Sequence, residues 1–249
     1  MGSLLRTYWL GRIDYRKCWD LQRAMVQAIM AEQLPDSLLL LEHPPVFTMG
    51  RRGGTENLRW SVEECAERGI EVVWSDRGGD ITYHGPGQLV GYGLLNLRQR
   101  GIDILTYIRQ LETSLIEYLA QLGITAWPGG HGLTGVWSQG EAAQAEKVAA
   151  IGVRFNRRRI TSHGFALNLT TDLNTFNNGM VPCGLEGRQA TSVAALGGPR
   201  IIVQKAALEY APHFARIFNL HLEWSDSAEL EILPSAPEAP AMPAPLPML

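Results

Sequence analysis

The residues best suited to covalent chemistry in this chain are a thiol, Cys183 in MVPCGLEG, and an amine, Lys147 at the head of KVAAIGVRF. Together they would make a nucleophile and its base, because a desolvated lysine loses part of its affinity for a proton and helps to form a thiolate. Each also has a plainer reading. Cys183 lies between Pro182 and Gly184, in a stretch with too little periodicity for a helix or a long strand. Such a turn can present sulfur to a cleft, yet a single cysteine is also a small buried hydrophobe. A lysine opening an apolar run ordinarily snorkels to the surface. Spacing alone does not bring the two together.

His84 and His163 each precede a glycine, in TYHGPG and TSHGFALN. A histidine there can bond to backbone at a turn; the glycine also lets a substrate approach backbone amides that would stabilise an oxyanion. Arg77, at the head of RGGD, is placed to neutralise a phosphate or to bond Asp80. Arg157, Arg158 and Arg159 read as a solvated hairpin tip, or as an electrostatic landing site for an acidic protein carrier. Nucleotide signatures are absent: Val90 spoils GxGxxG in GPGQLVGYG, and there is no GxxxxGK[ST]. The histidines form no HExxH and the three cysteines no CxxC, so no metal, cofactor or disulfide framework is expected.

The elements that must position these residues follow from periodicity. Cys18, Leu21, Met25, Ala28 and Ile29 predict a helix from Asp14 to about Gln33 with Cys18 inward. SLLLLE predicts a buried strand over 37–42, broken at Pro44 and Pro45 before another short strand. Ser61 and Glu64 form a capping box for a small helix that Gly69 ends, placing Cys65 on it. After the strand IEVVWS, residues 76–97 hold six glycines, which implies tight turns or close approach of a ligand. Ile104, Leu105, Ile108, Leu111, Leu115, Leu119 and Leu122 form the apolar stripe of a long helix, capped by Asp103 and stopped by Gly123. From Thr125 to Thr170, ITAW, TGVWS, KVAAIGVRF and ITSHGFALNLT predict an antiparallel sheet, with NRRR as a hairpin turn. A helix over about 203–218 contains Pro212, which should break or kink it.

A net charge of -3 with 19% charged residues gives no reason to expect nucleic acid as partner. No apolar run approaches the roughly 20 residues of a membrane span, and the N-terminal MGSLLRTYWLGRIDY lacks signal-peptide features. The expectation is a cytoplasmic α/β protein. One catalytic domain over 1–232 is followed by a Pro-rich, disordered or extended tail over 233–249.

Taken in order, RGGDITYHGPGQLVGY (77–92), KVAAIGVR (147–154), TSHGFALN (161–168) and VPCG (181–184) resemble the lipoate-protein ligase B family, as does HPPVFTMGR (43–51). The resemblance spans about residues 4–222. It implies a mixed α/β sheet with flanking helices, the fold of biotin and lipoate protein ligase catalytic domains. It also implies transfer of octanoyl from octanoyl-acyl carrier protein to a lysine of lipoyl domains, in 2-oxoacid dehydrogenase E2 subunits and glycine cleavage H protein, without ATP. Carried over, Cys183 matches the acyl-thioester cysteine and Lys147 the lysine that lowers its pKa. Arg77, Gly78, Gly79, Asp80, Ile81, Thr82, Tyr83 and His84 match a substrate-binding segment. Ala150, Ile151 and Gly152 match another, as do Gly164, Phe165 and Ala166, with His163 in support. Two neighbouring activities stand beside this one: octanoyl amidotransfer between lipoyl domains, and ATP-dependent ligation of lipoate or biotin. The second needs no cysteine nucleophile.

Overall fold

The computed structural model describes residues 3–130, 133–140, 144–181 and 189–233; Cys183 and the tail from 234 onward lie outside them. The run Leu38–Leu41 sets the architecture. These residues alternate faces along a strand, and all four are fully buried, so the strand must be covered on both sides. Leu38 and Leu40 meet one cluster, with side chains from two long helices, while Leu39 and Leu41 meet another, with Cys18, Met25, Val26 and Ile29 of a third helix.

In chain order the elements are β1 (Ser3–Arg12), α1 (Tyr15–Met30), β2 (Asp36–Glu42), β3 (Val46–Met49), α2 (Val62–Glu67), β4 (Glu71–Trp74), β5 (Ile81–His84) and β6 (Gln88–Leu94). Then come α3 (Leu97–Arg100), α4 (Ile104–Gln121), β7 (Ala126–Pro128), β8 (Val136–Gln139), β9 (Ala145–Phe155), β10 (Thr161–Asn168), α5 (Leu173–Gly179), α6 (Val203–Ile217) and β11 (Leu220–Trp224). Eight strands form one mixed sheet in the order β11-β1-β2-β6-β10-β9-β8-β7, and β4-β3-β5 form a second. Helices α4 and α6 cover one face of the large sheet and α1 the other. No helix among the described residues is long and apolar enough to cross a membrane.

The local signals read from sequence are realised in detail. Asp103 accepts from the Thr106 N–H to cap α4, Ser61 and Glu64 exchange the two bonds of a capping box, and Gly69 and Gly123 take left-handed φ values. Cys18 and Cys65 are both buried. Three expectations need correction. Leu105 is 60% exposed, because its place one residue along from Ile104 turns it off the stripe. Helix α6 runs unbroken through Pro212. That proline and Leu208, whose carbonyl loses a partner, are both on the solvent side, where water replaces the missing bond. The third concerns the sheet, which extends past its expected limits. Strands β1 and β11 pair in parallel, Ser3 with Leu220 through Thr7 with Trp224, although the two segments show no clean alternation.

Candidate active site

Where β5, β9 and β10 converge, a cavity of about 360 Å³ opens, near the small end of the ~300–1,000 Å³ typical of ligand pockets. Its wall contains Arg77 to Thr82, His84, Lys147, Ala150 to Gly152 and His163 to Ala166. Segments far apart in sequence therefore share one enclosure. Tyr83 is the exception. Its ring packs onto Phe47 and Phe176 at centroid separations of 5.4 and 6.0 Å.

The 77–80 segment is held from two sides. The N–H groups of Gly50, Arg51 and Arg52 donate to the carbonyls of Asp80, Arg77 and Gly79 at 3.0, 3.0 and 3.1 Å. On the other side the Gly78 N–H donates to the Val153 carbonyl at 3.0 Å. Only glycine allows so close a meeting: a Cβ on Gly152 would stand 2.8 Å from the Gly78 carbonyl oxygen, and one on Gly78 2.8 Å from that of Val153. Arg77 is buried and gives Nε to Thr48 Oγ1 at 3.0 Å and Nη1 to the Gly78 carbonyl at 3.1 Å, with Nη2 on the Thr48 carbonyl. Asp80, expected as its partner, instead accepts from Asn57 Nδ2 and its own neighbour Ile81 N–H, both at 2.7 Å.

Three buried histidines, His43, His84 and His163, are neutral here, and the charge of this guanidinium bears on the last two. Burial pushes His163 down to about 3, with Arg77 and Arg154 acting in the same sense. Burial likewise lowers His43 to about 4 and takes His84 well below its ordinary range. Their tautomers follow from their partners. His43 Nδ1–H donates to the Ile13 carbonyl at 2.7 Å, leaving Nε2 to accept from the Tyr92 hydroxyl at 2.8 Å. His84 Nδ1–H donates to Gln88 Oε1 at 2.8 Å. His163 Nε2–H donates to Asp76 Oδ1 at 2.8 Å. His84 and His163 thus lie within strands, not at turns, and His163 has the left-handed φ of 57°.

Lys147 is 8% exposed. Its Nζ donates to the Thr134 carbonyl at 3.2 Å and stands 4.9 Å over the Trp137 ring, so the snorkelling alternative does not hold. Its backbone is bonded to residues just beyond Cys183: Lys147 N–H to the Gln189 carbonyl at 3.0 Å, and Thr191 N–H to the Lys147 carbonyl at 2.9 Å. Ala190 is tied in turn to Asn177, donating at 2.8 Å and accepting at 3.1 Å. Met180 and Ala190, on either side of residues 182–188, both line the cavity. Sequence reading missed Tyr15, Arg52, Tyr92, Thr134, Phe176 and Met180 in this wall, as well as Asp76 behind it. Of these Asp76, at the head of the glycine-rich run, and Tyr92, at the end of the 77–92 motif, carried a local hint.

Residues 14–215 match the lipoyl protein ligase A/B catalytic domain. The chain belongs to this family. It is an acyltransferase of the lipoate-protein ligase B type. A protein of Roseiflexus sp. (strain RS-1) named octanoyltransferase is 44% identical over 216 residues, 87% of this chain and 88% of its own. Among solved structures, a bipartite lipoate protein ligase of Thermoplasma acidophilum superposes with a TM-score of 0.70 at 17% identity, covering 92% of this chain and 89% of its own. Biotin protein ligase from Aquifex aeolicus, in complex with biotin and ATP, gives 0.51 at 14% identity over 86% and 70%. Those two likenesses establish the shared fold.

Proposed function

We propose that this acyltransferase moves octanoyl from acyl carrier protein to the lysine of a lipoyl domain through a thioester on Cys183, with Lys147 as its proton partner. The observation that carries the reading is the setting of Lys147, a buried amine in the wall of the cavity, bonded through its backbone to Gln189 and Thr191, which follow Cys183 in the chain. In the first half-reaction the Cys183 thiol gives its proton to Lys147 and the sulfur attacks the donor's carbonyl carbon. The new C–S bond forms, the old one breaks, and the carrier thiol leaves with that proton. In the second, the amine of the target lysine attacks the acyl-enzyme, Lys147 takes its proton, and the proton returns to the departing Cys183 sulfur. The product is an amide. Because the donor is already a thioester, no adenylate is required.

The acyl chain would lie along Ile81, Ile151, Phe165, Ala166 and Phe176, which give the cavity its apolar lining. The lipoyl domains of 2-oxoacid dehydrogenase E2 subunits and glycine cleavage H protein are the acceptors this reading expects. The test is the intact mass of the enzyme after brief incubation with octanoyl-acyl carrier protein, followed by peptide mapping. One added octanoyl group on Cys183 is the expected result, with no ATP present. Label on Cys18 or Cys65, or full turnover by Cys183→Ala, would overturn the assignment. Acylation from an octanoylated lipoyl domain, but not from the carrier, would replace it with amidotransfer.

A further inference from the structure

We infer that Asp76 is a positioning residue that latches the 77–80 wall of the cavity onto the β9–β10 hairpin and so fixes the acyl site. Asp76 immediately precedes the wall segment but does not line the cavity. Its side chain is 8% exposed and spends both oxygens on the hairpin: Oδ1 accepts from His163 Nε2 at 2.8 Å, and Oδ2 pairs with the guanidinium of Arg154. One turn of backbone later, Gly78 N–H meets the Val153 carbonyl. Residues 76–78 are therefore tied to 153, 154 and 163 by one ion pair, one charge-assisted hydrogen bond and one backbone bond.

The partner in β10 is held in an uncommon conformation. A left-handed histidine inside a strand is strained and persists only where its surroundings over-determine it. Here two bonds do so: the His163 N–H donates to Gln22 Oε1 at 2.7 Å, and its ring donates to Asp76. His163 is followed by Gly164, Phe165 and Ala166, all in the cavity wall. The Asp76 carboxylate is thus one of the ties that hold the 77–80 wall against the β9–β10 wall. Because the 50–52 turn also hangs on the carbonyls of 77–80, loosening Asp76 frees the segment on one side while the other still follows it.

This role rests on the reading that the cavity receives the acyl chain, and two measurements separate the two ideas. In Asp76→Ala, hydrogen exchange at the Gly78 amide should accelerate while amides in β1 and β2 keep their protection, whatever the substrate. In acylation assays the same variant should show KM for the octanoyl donor raised roughly tenfold to a hundredfold, the range for losing a hydrogen bond to a charged group. The single-turnover rate at saturating donor should change little. A residue that only stabilises the fold would lower the melting temperature and the active fraction, leaving KM in place. If Asp76→Ala does not fold, Arg154→Ala takes its place, since Asp76 then keeps His163 and the half-exposed arginine is easily lost; a smaller rise in KM with the same Gly78 signature is expected. Failure of the wild-type enzyme to form any acyl-enzyme would defeat the functional reading alone. Unchanged Gly78 exchange and unchanged KM in both variants would overturn the latch.

Discussion

Lowering the pH should destabilise this protein before its carboxylates titrate, because its buried histidines are neutral in the fold and free to charge outside it. The unfolded chain binds a proton at each histidine below about 6.5, whereas in the fold His43 does so only near 4 and His163 only near 3. The stability held above pH 6.5 is therefore lost as the pH falls, by about 1.4 kcal/mol per pH unit for each such group. Between 6.5 and about 4, His43 and His163 together remove roughly 7 kcal/mol, as much as a typical domain's entire margin of ~5–15 kcal/mol. His84 is lowered too and acts in the same direction. Asp80 works the other way, since burial raises its carboxyl above the usual 3.8, but only at the acid end of the window. Urea unfolding midpoints from pH 8 to 4.5 give the slope, and with it the number of protons taken up on unfolding. His163→Asn isolates one of them: asparagine accepts a left-handed φ, can donate to Asp76, and does not titrate. The variant's slope should be shallower by one proton. Superimposable profiles for wild type and variant would refute the neutral assignment of His163.

Three further outcomes test the proposed chemistry. Lys147→Arg keeps a cation that cannot act as a base, so acylation should survive in part while transfer from pre-acylated enzyme to the lipoyl-domain lysine falls by about 100-fold; single-turnover rates of the two half-reactions decide it, and wild-type transfer leaves Lys147 only an electrostatic part. A butyryl donor buries four fewer methylenes, about 3 kcal/mol in all at ~0.8 each, so its kcat/KM should be lower on the order of 100-fold; equal values would place the chain outside the cavity. Replacing Arg157, Arg158 and Arg159, which are exposed on the β9–β10 turn, by serine should raise KM for the acidic carrier and weaken its salt dependence while sparing a small thioester donor; an equal loss with the small donor would point to folding instead.

What could be read from sequence here was what depends on neighbours in the chain. The Ser61–Glu64 box, the Asp103 cap and the α4 stripe each require residues within a turn or two, and each is where its spacing put it, Leu105 apart. Strand β11 was invisible because its pairing is with residues more than two hundred positions away, and its own five residues have no distinguishing period. The cavity wall was legible through its glycines, since the close packing of Gly78 on Gly152 leaves no room for a side chain. Tyr83 was included with that wall because it is contiguous with Thr82 and His84, although its ring packs into the cluster of Phe47 and Phe176. Asp76 was passed over for the converse reason: its partners, Arg154 and His163, belong to another sheet, so its meaning exists only after folding.

One buried charge in the wall, that of Arg77, bears on its neighbours. Arg77 cannot lose its proton, and its guanidinium donates to Thr48 and to the Gly78 carbonyl. It therefore acts on whatever shares the enclosure, lowering the proton affinity of His84 and His163 in the same direction as burial does. Were those rings to charge, they would repel it in a medium that screens poorly. Kept neutral, they supply acceptors without adding positive charge. A fixed cation beside an apolar cavity favours anions that form there and costs nothing in reorganisation when they do. In the reaction proposed above, the attacking thiolate and the tetrahedral oxyanion are both of that kind, so the neutrality of the histidines and the permanence of Arg77 would serve the same step.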